Sequence, residues 1–149
     1  MQAKKHMLVE QIMSKPVVTV TLDDPLRLVK QIFDNSMFHH LLVVEEGKLY
    51  GVISDRDLLK SISPFIGTLQ EKALDKFTLN KKAHQIMSRK PITLPPLADV
   101  YEAISLFNQH SISCIPIVNE TGITLGIVSW RDILRTIEVN RNKKLSSTK

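Results

Sequence analysis

Cysteine is nearly absent: the sequence holds Cys114 alone, which excludes an internal disulfide and any multi-cysteine metal site. Aromatic residues are scarce at 5%, and they do not interleave with basic residues as a nucleic-acid platform requires. No apolar run approaches the roughly 20 residues of a membrane helix. The first residues, Met1-Gln2-Ala3-Lys4-Lys5-His6, carry two lysines, but no long apolar stretch with a small-residue cleavage site follows. A secretory signal is therefore not indicated, and the cytoplasm is the expected compartment. Histidines His6, His84 and His110 are scattered, with no metal-ligand spacing. No nucleophile, base and orienting group recur together, so the sequence offers no catalytic set.

What is there is a core-forming composition and a repeat. Hydrophobic residues make up 43% and charged residues 23% of 149 residues, enough apolar surface for one compact domain or two small units. The net charge is +5. Part of that excess lies in Arg141 to Lys149, which reads as a solvated, disordered basic tail. The rest could attract phosphate ligands.

The chain repeats itself once. Ile12-Met13-Ser14 recurs as Ile86-Met87-Ser88, and the same offset of 74 carries Thr19 onto Thr93, Phe33 onto Phe107 and Val44 onto Val118. One residue is inserted near Thr121-Gly122, and the offset becomes 75, so that Gly51 to Leu59 falls on Gly126 to Leu134. An insertion confined to a polar turn is what a structural repeat tolerates.

Each copy reads as strand, helix, strand, strand, helix. The strands are Val17 to Val20, Leu41 to Val44 and Leu49 to Ile53, echoed by Ile92 to Leu94, Ile115 to Val118 and Thr124 to Val128. The first helix of copy one opens at Asp23-Asp24-Pro25 and carries Leu26, Val29, Ile32 and Phe33 at helical spacing. Val100, Ala103, Ile104 and Phe107 repeat that pattern. The second helices start at Ser54 and Ser129. The expected fold is α+β: two βαββα units, residues 7–62 and 82–140, joined by a connector at 63–81 with room for a short helix before Ala83. One copy of about 60 residues is marginal alone, so the two are expected to pack with pseudo-twofold symmetry into one module.

The most informative residues are Gly51-x-x-Ser54-x-x-Asp57 and Gly126-x-x-Ser129-x-x-Asp132. Ser-x-x-Asp before a helix resembles a capping box. Both copies nevertheless use Asp where Glu or Gln is usual, and both place glycine at the start of the preceding strand, where a strand normally avoids it and where it can mark close backbone approach. The same geometry suits a nucleotide. A strand delivers the chain to a helix N-terminus that attracts phosphate, and an aspartate one turn in can accept from ribose hydroxyls.

These motifs resemble those of the CBS (cystathionine-beta-synthase) domain, and their pairing resembles a CBS pair, or Bateman module. The residues that carry the likeness are Ile12-Met13-Ser14-Lys15-Pro16 and Ile86 to Pro91, Gly51 to Asp57 and Gly126 to Asp132, and the strand Cys114-Ile115-Pro116-Ile117-Val118. The likeness extends from about Val9 to Ile137. It implies a small regulatory module of the acetoin-utilisation type that binds AMP, ADP, ATP or S-adenosylmethionine, with no obligatory cofactor. It implies that Ser54, Asp57, Ser129 and Asp132 meet phosphate and ribose. Val17, Val18, Thr19, Ile92 and Thr93 would lie against adenine. It also implies a homodimer and an unidentified protein partner.

Copy one departs from the family pattern at Leu42, where copy two has Pro116. His39 and His40 stand where the family often has basic residues, and Ser113 and Cys114 take those places in copy two, so copy one is the better expected site for a multiply charged phosphate. Arg56 and Arg131 recur and are candidate phosphate contacts. Trp130 reads as a packing or interface residue, and Cys114 as a buried small hydrophobe. Leu58, Leu59, Ile62, Ile133, Leu134 and Ile137 are candidates for a dimer face. A second class of function, a nucleic-acid-binding or assembly protein using its basic surface with vestigial pockets, fits the charge but not the motifs.

Overall fold

The computed structural model describes residues 7–15 and 17–147. His6, Pro16, Thr148 and Lys149 lie outside the described residues. In chain order the elements are α1 (Val9–Ile12), β1 (Thr19–Val20), α2 (Leu26–Asp34), β2 (His40–Glu45), β3 (Lys48–Ser54), α3 (Asp55–Ser61), α4 (Ala73–Phe77), a 3-10 turn (Thr78–Asn80), α5 (Ala83–Ile86), β4 (Ser88–Arg89), α6 (Val100–Gln109), β5 (Cys114–Val118), β6 (Thr124–Ser129) and α7 (Trp130–Ser147).

These elements form two compact units. One is Val18–Pro91, called here the Asp57 unit. The other, the Asp132 unit, joins the described part of Met1–Val17 to Ile92–Lys149. The segment that opens each repeat therefore packs in the unit built from the other repeat.

In the Asp57 unit the sheet order is β1-β2-β3-β4. β1 runs parallel to β2, with Thr19 beside Leu42, and β3 and β4 are antiparallel to their neighbours. The β2–β3 connection is tight because Glu46 and Gly47 both take positive φ, 52° and 81°, the left-handed pair that matches strand twist. Val20, Leu26, Val29, Leu41, Val43, Ile53, Leu58 and Ala83 close the core. α2 begins at Leu26, with Pro25 at its N-cap. Asp24 caps the preceding turn instead, accepting from the Thr21 N–H at 2.7 Å.

The Asp132 unit repeats this plan with fewer strand residues. β5 pairs antiparallel with β6, Cys114 opposite Ser129. Where the sequence pattern suggests a strand at Ile92 to Leu94, the structure keeps a single parallel bridge, Leu94 with Ile117. Pro91, Pro95 and Pro96 flank it, and proline cannot donate to a ladder. On the other edge Ser14 bridges Ile127, matching Ser88 against Val52. The longer β5–β6 turn is held by Asn119, whose side-chain oxygen accepts from the N–H groups of Thr121 (3.0 Å) and Ile123 (2.9 Å). The core is Val9, Leu94, Ala98, Val100, Ala103, Phe107, Ile115, Ile117, Val128 and Ile133.

Two expectations are corrected here. α7 continues to Ser147 over 18 residues, where the charge-rich composition pointed to a frayed tail from Arg141. No glycine or proline interrupts Trp130 to Ser147, and Arg, Lys and Leu are good helix formers. Leu58 and Ile133, candidates for a dimer face, are core residues at 4% and 5% exposure. Leu59, Leu134 and Ile137 are exposed, while Ile62 packs partly buried against its core. The connector forms α4 and the 3-10 turn, and α5 follows it.

Candidate functional site

In the Asp57 unit, β3 ends at Ser54 and α3 begins at Asp55. Ser54 Oγ accepts from the Asp57 N–H at 3.0 Å, and Asp57 Oδ2 accepts from the Ser54 N–H at 2.9 Å. The capping box is therefore real, but it occupies one carboxylate oxygen only. Asp57 Oδ1 has no hydrogen-bond partner among the described residues.

The same end of the sheet gathers the other copy-one residues. His40 stands opposite Ser54 in the β2–β3 register. The Asp55 N–H donates to the His39 carbonyl at 3.0 Å, and Asp55 Oδ2 lies 2.9 Å from His39 Nδ1. Val18 is beside them through the Leu42 N–H, which donates to its carbonyl at 3.2 Å. Thr19 and Arg56 are exposed at this end. Thus Val18, Thr19, His39, His40, Ser54, Arg56 and Asp57 are brought together within one unit. Val17 belongs to the Asp132 unit.

Electrostatics separates the two histidines. Burial pushes His40 below the usual 6.5; the charge of Asp55 opposes this, His39 reinforces it and Asp57 opposes it. For Asp55, burial raises the carboxyl, but the hydrogen bonds from His39 and the Arg56 N–H and the charges of both histidines outweigh it and hold the group below the ordinary range. His39 is therefore committed to Asp55. For His40 the folded value is depressed, so the unfolded chain takes up the proton first as pH falls below 6.5. The stability contribution is full above that pH and is lost as pH falls toward the folded value. Melting curves at pH 7.5 and 5.5 should show wild type losing more stability on acidification than His40→Asn; equal losses would refute this.

In the Asp132 unit the equivalent residues are bonded differently. Asp132 is 3% exposed, the sole buried charged residue among those described. Its Oδ2 accepts from the Ser129 N–H at 2.8 Å and from the Ser129 hydroxyl at 3.1 Å. Its Oδ1 accepts from the Ser14 hydroxyl at 2.9 Å and faces Arg135 Nη1 at 3.6 Å. Ile92 and Thr93 lead into the Leu94–Ile117 bridge, and Arg131 is exposed. Trp130 packs on Phe107 with ring centroids 5.0 Å apart, as a packing residue would. Burial pushes the Cys114 thiol up to about 12, so it is not a nucleophile at neutral pH.

The motif glycines owe their identity to the crossed segments. A Cβ on Gly51 would stand 2.5 Å from Met87 Sδ and 2.9 Å from the Ser88 carbonyl oxygen. A Cβ on Gly126 would collide with Met13 and lie 3.1 Å from the Ser14 carbonyl oxygen. Sequence reasoning read these glycines as sites of close approach but missed what approaches. It also missed Ser14 and Arg135 as partners of Asp132. The recurring Ile-Met-Ser was the available signal.

The CBS domain family model matches this chain twice, over residues 9–64 and 83–139. The chain is a CBS domain pair. Its two matches each contain one copy of the repeated Ser/Asp motif. A CBS domain-containing protein of Dictyostelium discoideum is 35% identical over 129 residues, covering 85% of this chain and 88% of that protein. Among solved structures, the CBS domain pair of protein MJ0100, in complex with 5-methylthioadenosine and S-adenosyl-L-methionine, is 28% identical. The match covers 91% of this chain and 99% of that one, with a TM-score of 0.74. A Vibrio cholerae protein assigned to acetoin utilization shares the fold, with a TM-score of 0.76 at 22% identity over 97% of this chain and 99% of that one. Among the described residues, no helix of this CBS pair is long and apolar enough to cross a membrane, and no group of three or more His, Cys, Asp or Glu side chains is placed to hold a metal ion.

Proposed function

We propose that this CBS pair is a non-catalytic regulatory module that binds an adenosyl compound and signals to a protein partner. The observation that carries the reading is the residue cluster at one end of the Asp57 sheet. There, a carboxylate oxygen of Asp57 has no partner among the described residues and can accept from a ribose hydroxyl, beside the Ser54 hydroxyl and the exposed Arg56. Phosphate contact falls to Ser54, Arg56 and His40, and adenine contact to Val18 and Thr19. Ser129, Arg131, Asp132, Ile92, Thr93 and Val17 are the corresponding set of the second motif. The relative solved with S-adenosyl-L-methionine and 5-methylthioadenosine supports the adenosyl class. AMP, ADP and ATP belong to the same class. A homodimer in the cytoplasm is the expected working form, with exposed Leu59, Leu134 and Ile137 available for contact between copies or with the partner.

A thermal-shift screen with AMP, ADP, ATP and S-adenosylmethionine tests the reading. A ligand that binds only the folded chain, at ten times its Kd, adds about 1.4 kcal/mol, or roughly 3–6 °C for a chain of this size. No shift with any adenosyl compound, together with retention of a nucleic-acid probe at physiological salt, would replace this reading with the basic-surface one.

A further inference from the structure

The two aspartates of the repeated motif stand at equivalent positions, yet their carboxylates are in opposite states. Asp57 uses one oxygen, for the Ser54 N–H. Asp132 uses both: Ser129 takes Oδ2, while the Ser14 hydroxyl and Arg135 take Oδ1. Ser88, the counterpart of Ser14, makes no side-chain hydrogen bond among the described residues. Copy one also has Lys60 where copy two has Arg135, and among the described residues no ion pair joins Lys60 to Asp57.

Ser14 is held where it is by more than its hydroxyl. Its N–H donates to the Ile127 carbonyl at 2.8 Å, and the Ile127 N–H donates back to the Ser14 carbonyl at 3.3 Å. The preceding residue, Met13, lies against the bare face of Gly126. The hydroxyl is thus delivered to Oδ1 by a fixed backbone. An alcohol O–H donating to a carboxylate at 2.9 Å is the same interaction a ribose hydroxyl would make, and it uses the same lone pairs.

We propose that Ser14 is an internal stand-in for a ribose hydroxyl: it keeps the Asp132 motif closed in the ligand-free chain and leaves Asp57 as the one carboxylate that receives an adenosyl ligand. This rests on the adenosyl-ligand reading above. A ligand at Asp132 must first displace the Ser14 hydroxyl, so that motif binds more weakly by about tenfold or more, the worth of one hydrogen bond to a charged group.

Calorimetric titration of the full chain with AMP tests the proposal. Wild type should take up one equivalent, and Asp57→Asn should abolish it. Ser14→Ala should admit a second equivalent, which Asp132→Asn on that background should remove. Ser88→Ala should stay at one. Ser14→Ala keeps the backbone pair with Ile127, so the segment stays docked. Two equivalents of similar affinity in wild type, or one equivalent in Ser14→Ala, overturn the proposal while leaving adenosyl binding intact. Uptake of neither AMP nor S-adenosylmethionine by wild type or Ser14→Ala removes the adenosyl reading and, with it, the ligand half of the proposal. The contact itself is read without ligand, in a melting double-mutant cycle. Ser14→Ala and Asp132→Asn should be non-additive, whereas Ser88→Ala and Asp57→Asn should be additive. Additivity in the first pair overturns the latch on its own.

Discussion

Gly51→Val is expected to destabilise the chain by about 2–3 kcal/mol, the upper part of the range for overpacking a filled site. The cause is not backbone conformation, because Gly51 lies within β3 and is not among the glycines with positive φ. The cause is space. The first added carbon would stand 2.9 Å from the Ser88 carbonyl oxygen and 2.8 Å from Met87 Cγ. The methionine side chain can turn away; the carbonyl belongs to β4 and cannot move without loosening its pairing with β3. Gly126→Val meets Met13 in the same way, but the carbonyl of Ser14 is 3.1 Å from the Cβ position, so its cost should be smaller. Denaturant unfolding of both variants checks the order. Equal, negligible losses would mean that the crossed segments do not pack on the glycines.

Asp57→Ala and Asp132→Ala should do opposite things. Asp57→Ala removes a cap, worth about 1 kcal/mol of stability, and should weaken AMP binding ten- to a hundredfold, the size of a lost charge-assisted hydrogen bond. Asp132→Ala removes the partner of the Ser129 N–H, the Ser129 hydroxyl and the Ser14 hydroxyl together, at a site 3% exposed. It should cost about 2–3 kcal/mol of stability and leave AMP binding near wild type. Calorimetry beside a melting curve separates the two. A similar loss of binding in both variants would make the motifs equivalent ligand sites, and a similar loss of stability would make both mere caps.

Both expectations give the repeated motif two duties within one chain. In the Asp57 unit the motif is an open end of a sheet, with a neutral, partly buried His40 and a His39–Asp55 pair beside it. In the Asp132 unit the same residue types are turned inward and bind the start of the chain. A polyphosphate at the first motif would favour the protonated form of His40. Binding would then draw a proton onto His40, so polyphosphate affinity should rise on acidification, from the raised value in the complex down to the free value, which burial holds below 6.5.

The sequence by itself determined the repeat, the strand and helix order, and the family. Those depend on apolar spacing and on residue types at fixed offsets, which are local properties of the chain. Gly51 and Gly126 were legible as points of close approach, and Ser54 and Asp57 as a box at a helix start. The partners were not legible. Ile12-Met13-Ser14 precedes copy one in the chain but lies along β6 of copy two, while Ile86-Met87-Ser88 lies along β3 of copy one. Residue spacing reports local period, and it cannot say which of two equivalent strand edges a segment will join. That choice decided which serine meets which aspartate: Ser14 with Asp132 are 118 positions apart, and their hydrogen bond exists only because the fold returns the chain's beginning to its last strand.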